Sequence, residues 1–452
     1  MAPRRPRSPV SSEAPSAVDR AWVDDAARAA AADFARAGID VARLRRLGFA
    51  RAARSGPPAG HTRRYTSTLT FGPTEDQGQS GYCWLFAPEV LVRAAAIKAG
   101  TIAETASFSE TYLYFFSLLE KASASLDDLR QLSARQRRLA SDTLQRGLSS
   151  EVMGLGDGGE WEWAFNLIEK YGLVPAAAMR QTASARDTSA LRAELHERLA
   201  VAARAIRRPT SDYAAIRAHT MHDIVRMLVA HLGVPPSDVA VRGKGRLSPR
   251  RYAHDIIGFR PREWRIVISN PALPYGTVYW RRDSAIISGE TTFNLRRLNV
   301  PQPRMRALVR ASLAQGHAVG ISADFTRNDI DHTTGIMHPG VFDRRRIYGR
   351  VMTGEISRAD EMYLGVAASN HAMAITGIDE QPRDGPPGRR RTVKYRVANS
   401  WGETVGDHGS YHMYAEWFEQ NVFKLAVHKS VLNGRERAAY DHPVRAPGGQ
   451  LY

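Results

Sequence analysis

Gln77-Gly-Gln-Ser-Gly-Tyr-Cys-Trp84 is the stretch on which the reading of this chain turns. It carries Cys83, the only cysteine among 452 residues. One thiol can neither close an internal disulfide nor build a thiolate metal cluster, so a working role for it is nucleophilic. Small residues precede the sulfur, and an apolar, Ala-rich run follows it: Trp84 to Ala87, then Val90 to Ala99. That pattern places Cys83 where a glycine-rich loop becomes a helix. Backbone N–H groups and the positive end of the helix dipole favour the reactive thiolate there. The plainer reading is a small buried hydrophobe. Two downstream groups weigh against it.

The first is His371, in Ser369-Asn-His-Ala-Met-Ala-Ile-Thr-Gly-Ile378, a small-apolar run that reads as a buried strand. The second is Asn399, in Val393-Lys-Tyr-Arg-Val-Ala-Asn-Ser-Trp-Gly402, a strand running into a turn. A cysteine nucleophile needs a base that takes its proton and later returns it to the leaving amine. The base needs a third group to orient it, and an Asn side-chain oxygen does so without adding charge. Trp401 is placed to cover that hydrogen bond and exclude water. Gln77 supplies a side-chain N–H to a developing oxyanion, with the Cys83 backbone N–H as second donor. A lone His on a strand is usually a core residue, and Asn-Ser-Trp-Gly is usually just a turn. In the order Gln, Cys, His, Asn they are specific.

These blocks resemble the papain-type cysteine peptidases, and more narrowly the bleomycin hydrolase and PepC-type aminopeptidase family. Gln77-x-x-Ser80-Gly81-x-Cys83-Trp84 resembles its nucleophile loop. Phe108-Ser-Glu-Thr-Tyr-Leu-Tyr-Phe-Phe116 with Glu120-Lys121 resembles its Ser-x-x-Tyr-aromatic helix. Asp157-Gly-Gly-Glu-Trp161 with Asn166 to Pro175, His371-Ala-Met373, and Asn399-Ser-Trp-Gly-Glu403 with Glu416-Trp-Phe418 complete the set. The resemblance runs from about Phe71 onward and is weaker at 180–300 and 325–360. Tyr82 stands where the family usually has a basic residue, Asn370 where Thr is usual, and Pro88 where the helix normally has an ordinary former.

The resemblance implies an α+β, papain-like fold with an inserted helical subdomain, and hydrolysis of amide bonds by a thioester route. Cys83 is then the nucleophile, His371 base and acid, Asn399 its orienter and Gln77 the oxyanion donor. No cofactor and no metal are expected. Gly158 and Gly159 are carried over as backbone against which substrate lies, with Asp157 near the entering amine. The family also implies a ring-shaped homohexamer, and in some members a nucleic-acid affinity. The chain ends His442-Pro-Val-Arg-Ala-Pro-Gly-Gly-Gln-Leu-Tyr452. In the family such an ending is an arm that enters the cleft, so that the carboxylate of Tyr452 would face a free substrate amine and restrict cleavage to peptide N-termini. Here Arg445 and Ala446 replace the usual Trp-Asp pair. Two alternatives stand beside the aminopeptidase reading. One is a papain-like acyltransferase or endopeptidase, the other a basic nucleic-acid-binding ring with secondary peptidase activity.

Net charge is +17, with Arg clusters at 43–46, 204–208, 344–346 and 389–391. Such a balance favours acidic partners through salt-sensitive association, and nucleic acid is the candidate. The clusters are scattered, as in a chain that is simply Arg-rich. No segment approaches the roughly 18 apolar residues of a membrane helix, and Met1-Ala-Pro-Arg-Arg has no apolar h-region after it. A lone free thiol fits a reducing compartment, so the cytoplasm is expected.

The expected organisation is a disordered tail over 1–17, a helical and connecting segment over 18–70 broken at Gly38, and a papain-like helical half over 71–183. Within that half a helix around 108–121 and a separate polar helix over 122–150 are expected. A mainly helical insertion over 184–265 follows, then the sheet half over 266–430 and the arm over 431–452. Gly154, Gly156 and Gly159 match a dinucleotide-binding spacing, but no strand precedes them. His408 and His412 are four apart in strand-like sequence, the wrong context for a helical metal pair.

Overall fold

A computed structural model describes residues 18–136, 155–208, 211–288, 291–326, 329–349, 357–366, 369–382 and 390–447. The expected tail at 1–17, the end of the expected helix over 122–150, and residues 448–452 with Tyr452 lie outside the described residues. The chain divides into two compact units, residues 1–56 with 342–355, and residues 57–341 with 356–452.

The smaller unit contains the helices Arg20–Arg36, Val41–Leu47, Phe49–Ala53 and Arg345–Tyr348. Asp19 and Asp40 cap the first two, each accepting a backbone N–H three residues on. Gly38, at φ 64°, lies in the break between them. Phe342 packs on Phe49 at 5.8 Å, and Asp343 N–H donates to Ala53 O at 2.8 Å. This compact unit ends at Gly56, short of the boundary expected at residue 70, and of the described residues it takes in 342–349. Only tertiary pairing brings that distant segment to the N-terminal helices.

In the larger unit, one mixed sheet holds twelve of the described strands. At its centre Val319–Ala323 lies between Val422–His428 and His371–Pro382, and Arg390–Ala398 and Ser410–Tyr414 follow outward. Side chains alternate between the two faces. Ala372, Ala374, Ala398 and Ala426 turn to the layer containing the helix Cys83–Lys98. Met373, Ile375, Ile321 and Val397 turn to the layer of the helix Gln302–Ala314, with Met305, Leu308 and Val309. Each large side chain buried there stabilises the fold by about 1.5–3 kcal/mol. The small residues on the other face let the first helix lie close to the sheet. A neighbouring helix, Trp161–Tyr171, also presses on it: a Cβ at Gly320 would sit 2.4 Å from the Trp161 ring.

The helix Cys83–Lys98 runs unbroken through Pro88. The sequence suggested one helix ending near 121 and another beginning at 122; among the described residues the two are continuous, as one helix over Glu110–Gln136. Lys121 to Gln136 contains no Gly or Pro to stop it. The insertion contributes the helices Ser189–Ile206 and Tyr213–Leu232, paired through Leu191, Leu195, Leu199, Ile224 and Leu228. Among the described residues no helix is long and apolar enough to cross a membrane.

Candidate active site

The nucleophile loop is shaped by glycine. Gly78 has φ 65°, and a Cβ there would fall 2.7 Å from Arg186 O. The turn delivers Cys83 to the first position of its helix, beneath the start of the strand His371–Pro382. Ala372 N–H donates to Cys83 Sγ at 3.4 Å, so the sulfur sits against the residue next to His371. Asn399 leaves the end of the neighbouring strand, and its Oδ1 lies 2.7 Å from His371 Nε2. With Nε2 engaged there, Nδ1 is the ring nitrogen left to exchange a proton with the thiol. Trp401 stacks on the imidazole, with centroids 4.9 Å apart and planes 29° apart. Phe325 packs 4.8 Å from His371 and edge-on to Trp401. The His–Asn bond is thus shielded by two rings.

Burial shapes the proton chemistry. It pushes the Cys83 thiol up to about 11, against the pull of the Ala372, Trp84 and Cys83 N–H groups. It pushes His371 down to about 4, against the bond from Asn399. The thiolate expected from the helix start is therefore opposed by desolvation, which outweighs the backbone donors. Both shifts concern a charge formed alone. The thiolate and the imidazolium would each find a hydrogen-bond partner already in place, the Ala372 N–H for the sulfur and Asn399 Oδ1 for the ring.

Gln77 is fixed on every side. Its Nε2 donates to Ser80 O at 2.5 Å, its Oε1 accepts from Ser400 Oγ at 2.6 Å, and its backbone N–H donates to Ser400 O at 2.8 Å. The Ser80 carbonyl can only accept, so it identifies the amide nitrogen and leaves one Nε2 hydrogen for an oxyanion.

Asp157 has a different place from the one expected. Its side chain is buried. The carboxylate accepts from Tyr114 OH at 2.6 Å, Gly81 N–H at 2.9 Å and Thr188 Oγ1 at 2.5 Å, and its carbonyl accepts from Trp84 Nε1 at 2.6 Å. It faces inward and ties its loop to the nucleophile loop, so it is not presented to an entering amine. Gly158 is exposed. At Gly159 a Cβ would stand 2.2 Å from the Trp84 ring, so that glycine is required by packing beside Cys83.

The departures from the family pattern are accommodated. Tyr82 is buried, donates to Ala185 O at 2.7 Å and stacks on Tyr114 at 4.3 Å. Asn370 Oδ1 accepts from Phe325 N–H at 2.9 Å, steadying the ring that covers His371. Sequence reasoning missed Phe325 and Ser400. Ser400 stands between two residues that were identified, and its position was the available signal. Phe325 had none. His412 is buried and bonds to Tyr65 and Asp407. No group of His, Cys, Asp and Glu among the described residues is arranged to hold a metal.

A thiol at a helix start, facing a strand-borne imidazole held by an asparagine, is the arrangement of a papain-like cysteine peptidase. The sequence agrees: the chain belongs to the Peptidase C1-like family, whose profile matches residues 42–447. It is 28% identical over 398 residues to Aminopeptidase E of Lactobacillus helveticus, covering 85% of this chain and 87% of that one. It is 26% identical over 407 residues to Aminopeptidase C of Streptococcus thermophilus, covering 85% and 86%. The crystal structure of PepW from Lactobacillus rhamnosis HN001 superposes with a TM-score of 0.82 at 23% identity, over 95% of this chain and 97% of that one.

Proposed function

We propose that this protein is a cysteine aminopeptidase in which Cys83, His371, Asn399 and Gln77 carry out the chemistry. The observation that carries the reading is the buried His371–Asn399 pair, at 2.7 Å, next to the residue whose N–H meets the Cys83 sulfur. Cys83 Sγ attacks the carbonyl carbon as His371 Nδ1 takes the thiol proton. The carbonyl oxygen becomes an oxyanion, held by the Cys83 N–H and Gln77 Nε2. Collapse breaks the C–N bond, and the amine leaves with the proton from His371. The thioester is then hydrolysed by a water that gives its proton to the same imidazole, releasing the acid and the thiol. Trp401 keeps bulk water from the His–Asn bond. Gly158 and Gly159 present backbone to the substrate chain.

The names of the relatives, the coverage of their length and the resemblance of the C-terminal segment support cleavage at free N-termini, with Tyr452 facing the amine. Assembly as a homohexamer rests on the resemblance alone, and a cytoplasmic location on the lone free thiol. Nucleic acid is a weaker secondary partner, since the Arg clusters fall on separate elements. The test is hydrolysis of aminoacyl-fluorophores and of N-acetylated peptides, with and without iodoacetamide. The reading requires cleavage of the free-amine substrates alone, abolished by one alkyl group per chain. Cleavage that persists after Cys83 is alkylated overturns it.

A further inference from the structure

We infer that Lys121 is a positioning residue for peptide binding: it anchors the glycine rim beside the nucleophile and fixes which way the rim's amides point. This deepens the proposed peptidase reading and rests on it. Lys121 lies in the helix Glu110–Gln136 and is 3% exposed. Its ammonium donates to Gly156 O and to Gly158 O, each at 2.7 Å. It also sits 5.3 Å from the centre of the Trp84 ring and 5.4 Å from that of Trp163. Those indoles meet edge to face at 6.0 Å, so aromatic faces as well as carbonyls hold the cation. Trp84 follows Cys83 directly, and Lys121 thus touches both the nucleophile's neighbour and the rim.

The rim needs such an anchor. Gly156, Gly158 and Gly159 surround one aspartate, and glycine backbone has the widest choice of conformations. Asp157 pins its own position through Gly81, Tyr114 and Thr188, but these bonds do not set the next peptide plane. In a trans peptide unit C=O and N–H point in opposite directions, and no described peptide bond is cis. Lys121 holds the Gly158 carbonyl inward, so the Gly159 N–H points the other way, on the side where Gly158 is exposed. That is a backbone donor offered to the carbonyl of an extended peptide lying past Cys83. Without the ammonium, the 158–159 plane is free to turn over and withdraw it.

The experiment compares wild type with Lys121→Met, which keeps length and apolar volume but has no donor, and with Lys121→Arg, which keeps the cation. Free-amine peptide hydrolysis, the rate of Cys83 alkylation by iodoacetamide, and amide exchange across 156–159 are measured on the full chain. For Lys121→Met the expected result is a KM at least ten-fold higher and kcat within three-fold. Alkylation should stay within two-fold, because iodoacetamide needs no rim, and amide exchange at the rim should be at least ten-fold faster. Lys121→Arg should recover most of the KM. If Lys121→Met does not fold, Lys121→Leu, which also lacks a donor, replaces it, with the same directions expected. Unchanged KM and exchange overturn the inference. So does alkylation that falls in parallel with hydrolysis, since Lys121 would then only support the fold. The exchange readout does not depend on activity. A wild type that exchanges slowly but hydrolyses nothing would defeat the peptidase reading and remove the basis of the inference with it, whereas flat exchange in an active Lys121→Met defeats the lysine alone.

Discussion

Replacing Glu110 with Gln should stabilise this protein increasingly as pH rises. Glu110 opens its helix and is 8% exposed, and Glu89, on the nucleophile helix, is 4% exposed. The two carboxyls hydrogen-bond to each other, and neither Glu89 Oε2 nor Glu110 Oε1 has a donor from elsewhere. Two acceptor oxygens in contact require a proton between them. The surroundings supply little positive charge. Glu75 stands beside Glu89 and is itself raised to about 7, by burial and then by Glu89. Arg93 NH1 reaches Glu75 at 3.3 Å, and its Nε lies 3.6 Å from Glu89 Oε1. Phe108 N–H donates to Glu89 Oε1 at 2.5 Å, and Tyr82 completes the set of titratable neighbours.

Burial, then the Glu89 charge, holds the Glu110 carboxyl well above its ordinary 4.5. The unfolded chain gives up this proton near that ordinary value. Above it, the folded state binds more protons than the unfolded state, so stability falls as pH rises, by about 1.36 kcal/mol per pH unit. Between pH 5.5 and 7 wild-type stability therefore falls, at no more than that slope. Gln mimics the protonated acid and donates to Glu89 at any pH, so the variant escapes this loss. With an unfolding entropy of about 2.1 cal/mol/K per residue, that slope is at most roughly 1.4 °C in Tm per pH unit for a chain of this size. Thermal melts and urea midpoints of both proteins at the two pH values provide the assay. A variant destabilised equally at both would refute the shared proton, because a lost packing contact has no pH dependence.

His371→Ala should reduce turnover nearly as far as Cys83→Ala, since members of one catalytic unit are not additive. Asn399→Ala should cost less, and Gln77→Ala on the order of 10²–10³ in kcat. Steady-state kinetics rank the four, and an unchanged rate for Gln77→Ala would remove it from the site. Because burial holds the imidazole down at about 4, the base stays unprotonated well into acid. The acid limb of kcat/KM should lie below pH 6, and a limb at the ordinary histidine value would contradict the buried geometry. Gly159→Ala forces a Cβ against the Trp84 ring. A loss of about 1–3 kcal/mol is expected, with slower alkylation of Cys83, and a neutral result in a urea titration would show that the rim does not rest on that indole. Deleting Gly448 to Tyr452 should open cleavage of N-acetylated peptides and weaken the preference for free amines. If that preference survives, the last residues do not set specificity.

The sequence determined the chemistry by itself, because catalysis needs particular atoms. A sole thiol after a glycine loop, a histidine at the head of a small-apolar run and an asparagine before Trp401 are legible as residue types in order. The strand bearing His371 was also legible, since an uninterrupted small-apolar run marks a strand buried on both faces. Tertiary structure decided what those atoms contact. Asp157 was read as meeting substrate, but packing turned its carboxylate onto Gly81, Tyr114 and Thr188. Phe325 came to cover His371 through a fold that brings the end of one strand beside the start of another. The joining of residues 342–349 to the N-terminal helices, and the meeting of Glu89 with Glu110, depend on which distant segments are brought together. Local pattern carries no record of such long-range pairings, because each is selected by the burial of whole faces rather than by the residues on either side of it.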